Sequence, residues 1–306
     1  NELSKPEIYT AYEKDQLREM ENSEMSFIAY FKQLANERRK SNHDNWISAY
    51  KYLDNFAVKD ITFAKVNEKF CNDFKRYLLT VPSNKSSKAT LSQNSAVSYF
   101  NKVKAALKQA YKDGLLKQDL NAKIETIKQA ETQRNFLTLE ELTKLAKTET
   151  TNKTMKNAAL FSALTGLRYS DIVKLTWEEI EHIEGQGYFI RFQQQKTKGM
   201  ETLPISEQAY SFLGERKGPM DKVFYALCDR DRYYHFPIWV SKAGITKDIT
   251  FHCLRHTFAT LQLSQGTDIY TVSKMLGHRE LKTTQVYAKI IDETKRKAAN
   301  RIKLEL

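Results

Sequence analysis

The sequence predicts a mainly α-helical chain of two domains, with a small β-hairpin or sheet in the second. Three observations carry that reading. Apolar residues recur at helical spacing through the first third, a polar stretch follows residue 122, and one strand-turn-strand pattern lies beyond it. With 306 residues the chain suits one large domain or two ordinary ones, each able to bury its own core.

In the first part, Phe27, Ile28, Phe31 and Leu34 recur at helical spacing, as do Trp46, Ala49, Tyr50 and Leu53. The run Val81-Pro82-Ser83-Asn84-Lys85-Ser86-Ser87 breaks the pattern as a turn. Another helix then runs through Ser95, Tyr99, Val103, Ala106, Leu107 and Ala110 and ends near Gly114. Residues 123–135 form a polar linker, which puts the domain boundary near 130. Thr138-Leu139-Glu140-Glu141 has the pattern of a capping box and opens a new helix. The second part is mostly helical. Its exception is the strand-like Tyr188-Phe189-Ile190-Arg191-Phe192, with Glu201-Thr202-Leu203-Pro204-Ile205 as return strand and Lys196-Thr197-Lys198-Gly199 as the turn.

Lys and Arg number 49 against 37 Asp and Glu, a formal net charge of +12. A chain this basic points to a polyanionic partner, nucleic acid before acidic membrane, with plain solubility charge as the bland alternative. From Pro82 to Lys112 there are six lysines (Lys85, Lys88, Lys102, Lys104, Lys108 and Lys112) and no acid. That helix is either an ordinary solvated face or a surface laid against DNA phosphates, and DNA contact is the favoured reading. No run approaches the roughly 18 to 20 apolar residues of a membrane span, and no signal peptide is recognisable. The three cysteines, Cys71, Cys228 and Cys253, lie far apart without C-x-x-C spacing. They suggest a reducing cytoplasm and neither a disulfide framework nor a zinc site. His43, His182 and His235 share no ligand spacing, so no metal is assigned.

Five polar signals in the second part carry chemistry. Leu164-Thr165-Gly166-Leu167-Arg168 turns at Gly166 and delivers Arg168 ahead of a short amphipathic helix with Ile172, Val173 and Leu175. The hairpin turn offers Lys196 and Lys198. His252 and Arg255 stand at i and i+3, hence on one helix face, able to present an imidazole and a guanidinium fork to one phosphate. His256 points elsewhere on the wheel and is assigned a structural place. Leu276-Gly277-His278 ends a helix at a C′ glycine, and nine residues later comes Tyr287, one of 16 tyrosines, in Thr284-Gln285-Val286-Tyr287-Ala288. Each signal alone has an ordinary structural reading: a salt bridge, a turn charge, a ring at a core edge.

Taken in order, Arg, hairpin Lys, H-x-x-R, L-G-H and T-x-x-Y-A resemble the phage integrase, or tyrosine recombinase, family. The resemblance covers the whole second part, and its flavour is that of integrases from Bacteroides-type mobile elements. It implies a two-domain, C-shaped clamp: a helical core-binding (SAM-like) DNA-binding domain over 1–122, a linker over 123–135, and an α+β catalytic domain over 136–306 with a C-terminal tail helix. A small arm-binding domain would precede Asn1. Carried over, Arg168 and Arg255 clamp the scissile phosphate and His252 is proton handler or phosphate ligand. Lys196 is the general acid, with Lys198 as the alternative, and His278 bonds the phosphate. Tyr287 attacks to leave a 3′-phosphotyrosine. An ordinary tyrosine has pKa about 10, so the surrounding cations are expected to favour its phenolate. Asp171 either orients the cations or is a helix N-terminal charge.

The resemblance further implies site-specific recombination of a mobile element (integration or excision) through a Holliday junction, without metal, ATP or other cofactor. The partners would be double-stranded DNA, a homotetramer joined by tail exchange through the helix from Ile290 to Leu304, and accessory DNA-bending proteins. A type IB topoisomerase is the enzymatic rival, and a non-catalytic DNA-binding regulator the non-enzymatic one.

Overall fold

The computed structural model describes residues 11–58, 60–84, 86–131, 134–194 and 199–288. It divides into two compact units, Asn1–Thr132 and Gln133–Leu306.

The first unit is a bundle of helices α1 (Ala11–Glu24), α2 (Phe27–Asn36), α3 (Lys40–Ala57), α4 (Glu68–Thr80), α5 (Gln93–Lys112) and α6 (Leu120–Lys123), with a small hairpin of β1 (Pro82–Ser83) and β2 (Ser86–Thr90). Side chains start the helices where the sequence offers an oxygen. Ser26 accepts from the Ala29 amide, Asn67 from that of Phe70, and Ser92 from that of Ser95, each satisfying an otherwise orphaned donor of a first turn. The core is aromatic: Phe27, Phe31, Trp46, Phe70, Phe74 and Phe100 are buried together, in edge-on and tilted pairs. The segment read as a bare turn at 81–87 is instead part of the β1–β2 hairpin. Its Asn84 amide donates to the Tyr52 hydroxyl at 2.8 Å, a long-range bond that turn chemistry does not announce.

The second unit holds α7 (Leu139–Lys147), α8 (Lys153–Thr165), α9 (Tyr169–Ile172), α10 (Glu207–Ser211), α11 (Phe236–Lys242), α12 (Phe251–Ser264), α13 (Ile269–Met275) and α14 (Lys282–Ala288). The capping box at Thr138 opens α7 through reciprocal bonds with Glu141. Strands β3 (Ile180–Ile183), β4 (Gly187–Gln193) and β5 (Met200–Ile205) form an antiparallel sheet in the order β3-β4-β5. Register places Ile180, Ile190 and Leu203 in one row across it, all buried. The hairpin of β4 and β5 lies where the sequence pattern puts it, whereas β3 is a third strand that the pattern does not reveal. The helix after Arg168 is shorter than expected, closing at Ile172 with Val173 as its cap.

Helices α8 and α12 form the centre of this unit. Small residues Ala158, Ala159, Ser162 and Ala163 keep α8 slim, and α12 is buried from Cys253 to Thr260. The two pack on each other, so whatever leaves their ends is held rigidly. Among the described residues, no helix is long and apolar enough to cross a membrane.

Candidate active site

Helix α8 ends at Gly166, whose φ of +70° is left-handed, a conformation that glycine adopts without penalty. A side chain there would also put Cβ 2.6 Å from the Phe258 ring on α12. The tight turn frees the Gly166 carbonyl and presents Arg168 at the start of α9. Arg255, on the inner face of α12, donates from Nη1 to the Gly166 carbonyl at 2.6 Å and from Nη2 to the Leu276 carbonyl at 2.5 Å. These bonds satisfy two buried helix-end oxygens and fix the guanidinium plane, a task for a planar fork rather than a point charge.

Arg168 donates to Gln194 Oε1 at 2.8 Å and lies 3.7 Å from Asp171, whose carboxylate is buried. Gln194 closes the base of the β4–β5 turn through its own amide, which donates to the Gly199 carbonyl at 2.9 Å. Its side chain rests against Gly277, where an added Cβ would collide with it. That glycine ends α13 at φ +59° and turns the chain toward His278. The His278 Nδ1 then pairs with the buried Thr284 hydroxyl at 2.8 Å.

Tyr287 is buried in a small cluster with Phe258, Ala259, Leu263, Val272 and Leu276. Its hydroxyl meets His256 Nδ1 at 2.8 Å. Arg134, Arg168 and Arg255 all act on that hydroxyl electrostatically and favour its ionisation, yet burial outweighs them and holds the phenol above its ordinary pKa. The arginines pull in the direction expected of them, and in the free protein burial outweighs that pull. Burial and then the neighbouring arginines bring His278 down to about 4, so it is a neutral imidazole near pH 7. Burial, followed by Arg168, lowers Arg255 to about 9, still cationic there.

Of the residues singled out from sequence, Arg168, Arg255, His278 and Tyr287 gather in this site, with His252 at its exposed margin, its ring 4.7 Å from that of His256. Lys196 and Lys198, and in the first unit Lys85, lie outside the described residues, as does the stretch from Ile290 to Leu304. Lys88 and Lys108 are exposed, and Lys102 donates to Asn42 at 3.3 Å. Lys104 departs from expectation. Its ammonium is bound inside the first unit by the Asn121 carbonyl at 2.9 Å and by the Ile124 carbonyl, where it caps the end of α6 rather than offering itself to a phosphate.

Four site residues were not found by sequence reasoning. His256 was assigned a structural place, but it touches the Tyr287 hydroxyl. Thr284 lies within the T-x-x-Y pattern, which is a usable signal. Gln194 and Arg134 carry none. Arg134 owes its position to the following residues, since Asn135 donates to the Asp248 carbonyl and the Leu137 amide to Thr257 on α12. Among the described residues, no group of three His, Cys, Asp or Glu is placed to hold a metal.

The second unit thus sets an arginine-lined tyrosine among its helices, beside a three-stranded sheet. Residues 135–294, more than half of the chain, match the model of the phage integrase family, and residues 26–125 match that of the phage integrase SAM-like domain. The chain belongs to the phage integrase family and is a tyrosine recombinase. It is 30% identical to tyrosine recombinase XerD of Lacticaseibacillus casei over 218 residues, 62% of this chain and 71% of the relative. It is 26% identical to XerD of Oceanobacillus iheyensis over 275 residues, 81% of this chain and 88% of that one. The fold is similar to that of the Tn1549 transposon integrase solved with circular intermediate DNA (TM-score 0.66, 18% identity, 86% of this chain and 95% of that one). It is also similar to that of the lambda integrase tetramer bound to a Holliday junction (TM-score 0.65, 18% identity, 89% and 80%).

Proposed function

We propose that this recombinase integrates and excises a mobile element by cutting each DNA strand with Tyr287 and rejoining it through a Holliday junction. The observation that carries this reading is the Tyr287 hydroxyl, buried under the influence of Arg134, Arg168 and Arg255. In the proposed reaction Arg168 and Arg255 hold the non-bridging oxygens of the scissile phosphate and offset the charge that grows on them in the transition state. Neutral His278, oriented by Thr284, donates a hydrogen bond to the same group, and His252 stands beside it. The phenolic oxygen forms a bond to phosphorus while the bond to the 5′-oxygen breaks, giving a 3′-phosphotyrosine. Lys196, with Lys198 as alternative, supplies the proton to the departing 5′-oxygen. The bond between Gln194 and Arg168 supports that assignment, because it ties the base of the lysine-bearing turn to the phosphate clamp. Asp171 steadies Arg168 by charge.

The first unit is proposed as the core-binding domain, with Lys85, Lys88, Lys102 and Lys108 on phosphates; Lys104 is not among them. The domain over 1–122 would join the catalytic domain over 136–306 through the linker. Assembly is proposed as a homotetramer on two duplexes, joined by exchange of the tail, with accessory DNA-bending proteins and the bacterial cytoplasm as its setting.

The test exposes the chain to a pool of nicked duplexes of random sequence and recovers detergent-resistant covalent adducts. We expect a defined family of sequences to be captured and the modified peptide to contain Tyr287. Tyr287→Phe should bind the selected duplex equally well and capture none. Capture that persists in Tyr287→Phe would falsify the assignment of the nucleophile.

A further inference from the structure

Along β4 the side chains alternate between core and solvent. Ile190 and Phe192 are buried while Arg191 and Gln193 are exposed, so the next inward position is 194. An apolar residue would suit that place, yet the chain puts a glutamine there, 3% exposed. A buried amide costs free energy unless its polar atoms are bonded. Gln194 Oε1 accepts from Arg168 Nη1 at 2.8 Å, and the amide occupies space that a side chain at Gly277 would fill.

A second group acts on the same nitrogen, and it is of the opposite kind. The buried Asp171 carboxylate, three residues past Arg168, has Oδ2 3.7 Å from Nη1. That separation is beyond hydrogen-bond reach, so this oxygen acts on Nη1 by charge. Gln194 acts by direction, since its carbonyl lies in bonding range and carries no net charge.

We propose that Gln194 is a positioning residue that sets the plane of the Arg168 guanidinium while leaving its charge whole for the DNA phosphate. The inference rests on Arg168 clamping that phosphate, as proposed above. The Arg168 side chain is only 14% exposed, so charges beside it are weakly screened. A carboxylate in place of Gln194 would join Asp171 against one guanidinium, repel the incoming phosphate and weaken the stabilisation of transition-state charge. An apolar residue would fill the space and leave the guanidinium free to turn out of line. The neutral amide orients it and offsets nothing.

The test uses the full chain and a nicked duplex that wild-type protein has captured from the random pool. Single-turnover capture at saturating protein, DNA affinity and melting temperature are measured for wild type, Gln194→Met, Gln194→Glu, Arg168→Lys and the double variant Gln194→Met with Arg168→Lys. Methionine keeps the length and accepts no such bond. We expect Gln194→Met to lose on the order of 100-fold in capture rate with affinity little changed. Gln194→Glu keeps an acceptor but should lose on the order of 100-fold as well, and it should also weaken binding. On the Arg168→Lys background, methionine should cost little more, because an effect carried by the guanidinium cannot be lost twice. Losses that multiply in the double variant would overturn the proposal, as would wild-type capture by Gln194→Glu. Wild-type capture by Arg168→Lys would instead remove the clamp itself, a separate failure. If capture by Arg168→Lys falls below detection, the arginine side-chain nitrogen NMR signals of the free protein decide. Those of Arg168 should broaden or merge in Gln194→Met as the guanidinium gains freedom, and an unchanged Arg168 spectrum there would equally overturn the proposal.

Discussion

Arg255 ties together two helix ends. Because its guanidinium bonds the carbonyls that close α8 and α13, Arg255→Lys should cost more than catalysis. Lysine keeps the charge but cannot fork to both oxygens, and the orphaned carbonyl should lower unfolding free energy by about 2–3 kcal/mol in urea titration. Covalent capture should fall at least 100-fold. Gly277→Ala is expected to cost about 1–3 kcal/mol, since its Cβ meets Gln194 at a left-handed position. By displacing Gln194 it should also free Arg168 and slow capture, while DNA affinity stays within threefold. Arg168, Arg255, His278 and Tyr287 were legible from sequence because each sits in a short local pattern. His256 was not. A helical wheel gives the direction in which a residue points, but not that α14 returns to meet it there.

The lysines of α5 show how far an element can be understood from its charges alone. Lys104 and Lys108 are one turn apart on one helix, yet one binds backbone carbonyls and the other faces water. Lys104→Met is therefore expected to lower stability by about 1–2 kcal/mol and to leave DNA affinity unchanged. Lys108→Ala should weaken DNA binding and reduce the salt slope of log Kd by about 1, with stability unaffected. Equal effects of the two on DNA affinity would contradict the division of roles. Helices were legible because their apolar period is long and their caps are polar side chains in register. The hairpin of β4 and β5 was legible by alternation. Strand β3 escaped because it is four residues long and directly follows the turn at Trp177–Glu179. The β1–β2 hairpin escaped because its polar residues look like loop until Tyr52 is placed beneath them.

At the scale of the molecule, the two units have separate cores, and only the second carries the buried histidines. Both His256 and His278 titrate lower in the folded chain, near 3 and 4, than the ordinary 6.5. The unfolded chain then binds more protons below pH 6.5, so this contribution to stability is complete above about 6.5 and is lost as pH falls toward 4 and below. Allowing for the partial solvent access of the site, the second unit should be on the order of 2 kcal/mol less stable at pH 5 than at pH 7. Tryptophan emission can follow it, because Trp177 and Trp239 report on the second unit and Trp46 on the first. Replacement of His256 by phenylalanine should flatten that dependence.

Tyr287 also comes late in the order of synthesis. Every arginine of the site, its three histidines and the glycines that shape it are translated before α14. If Tyr287 is the nucleophile proposed above, a nascent or prematurely terminated chain that stops short of α14 carries cations able to attract DNA but has no means of breaking it.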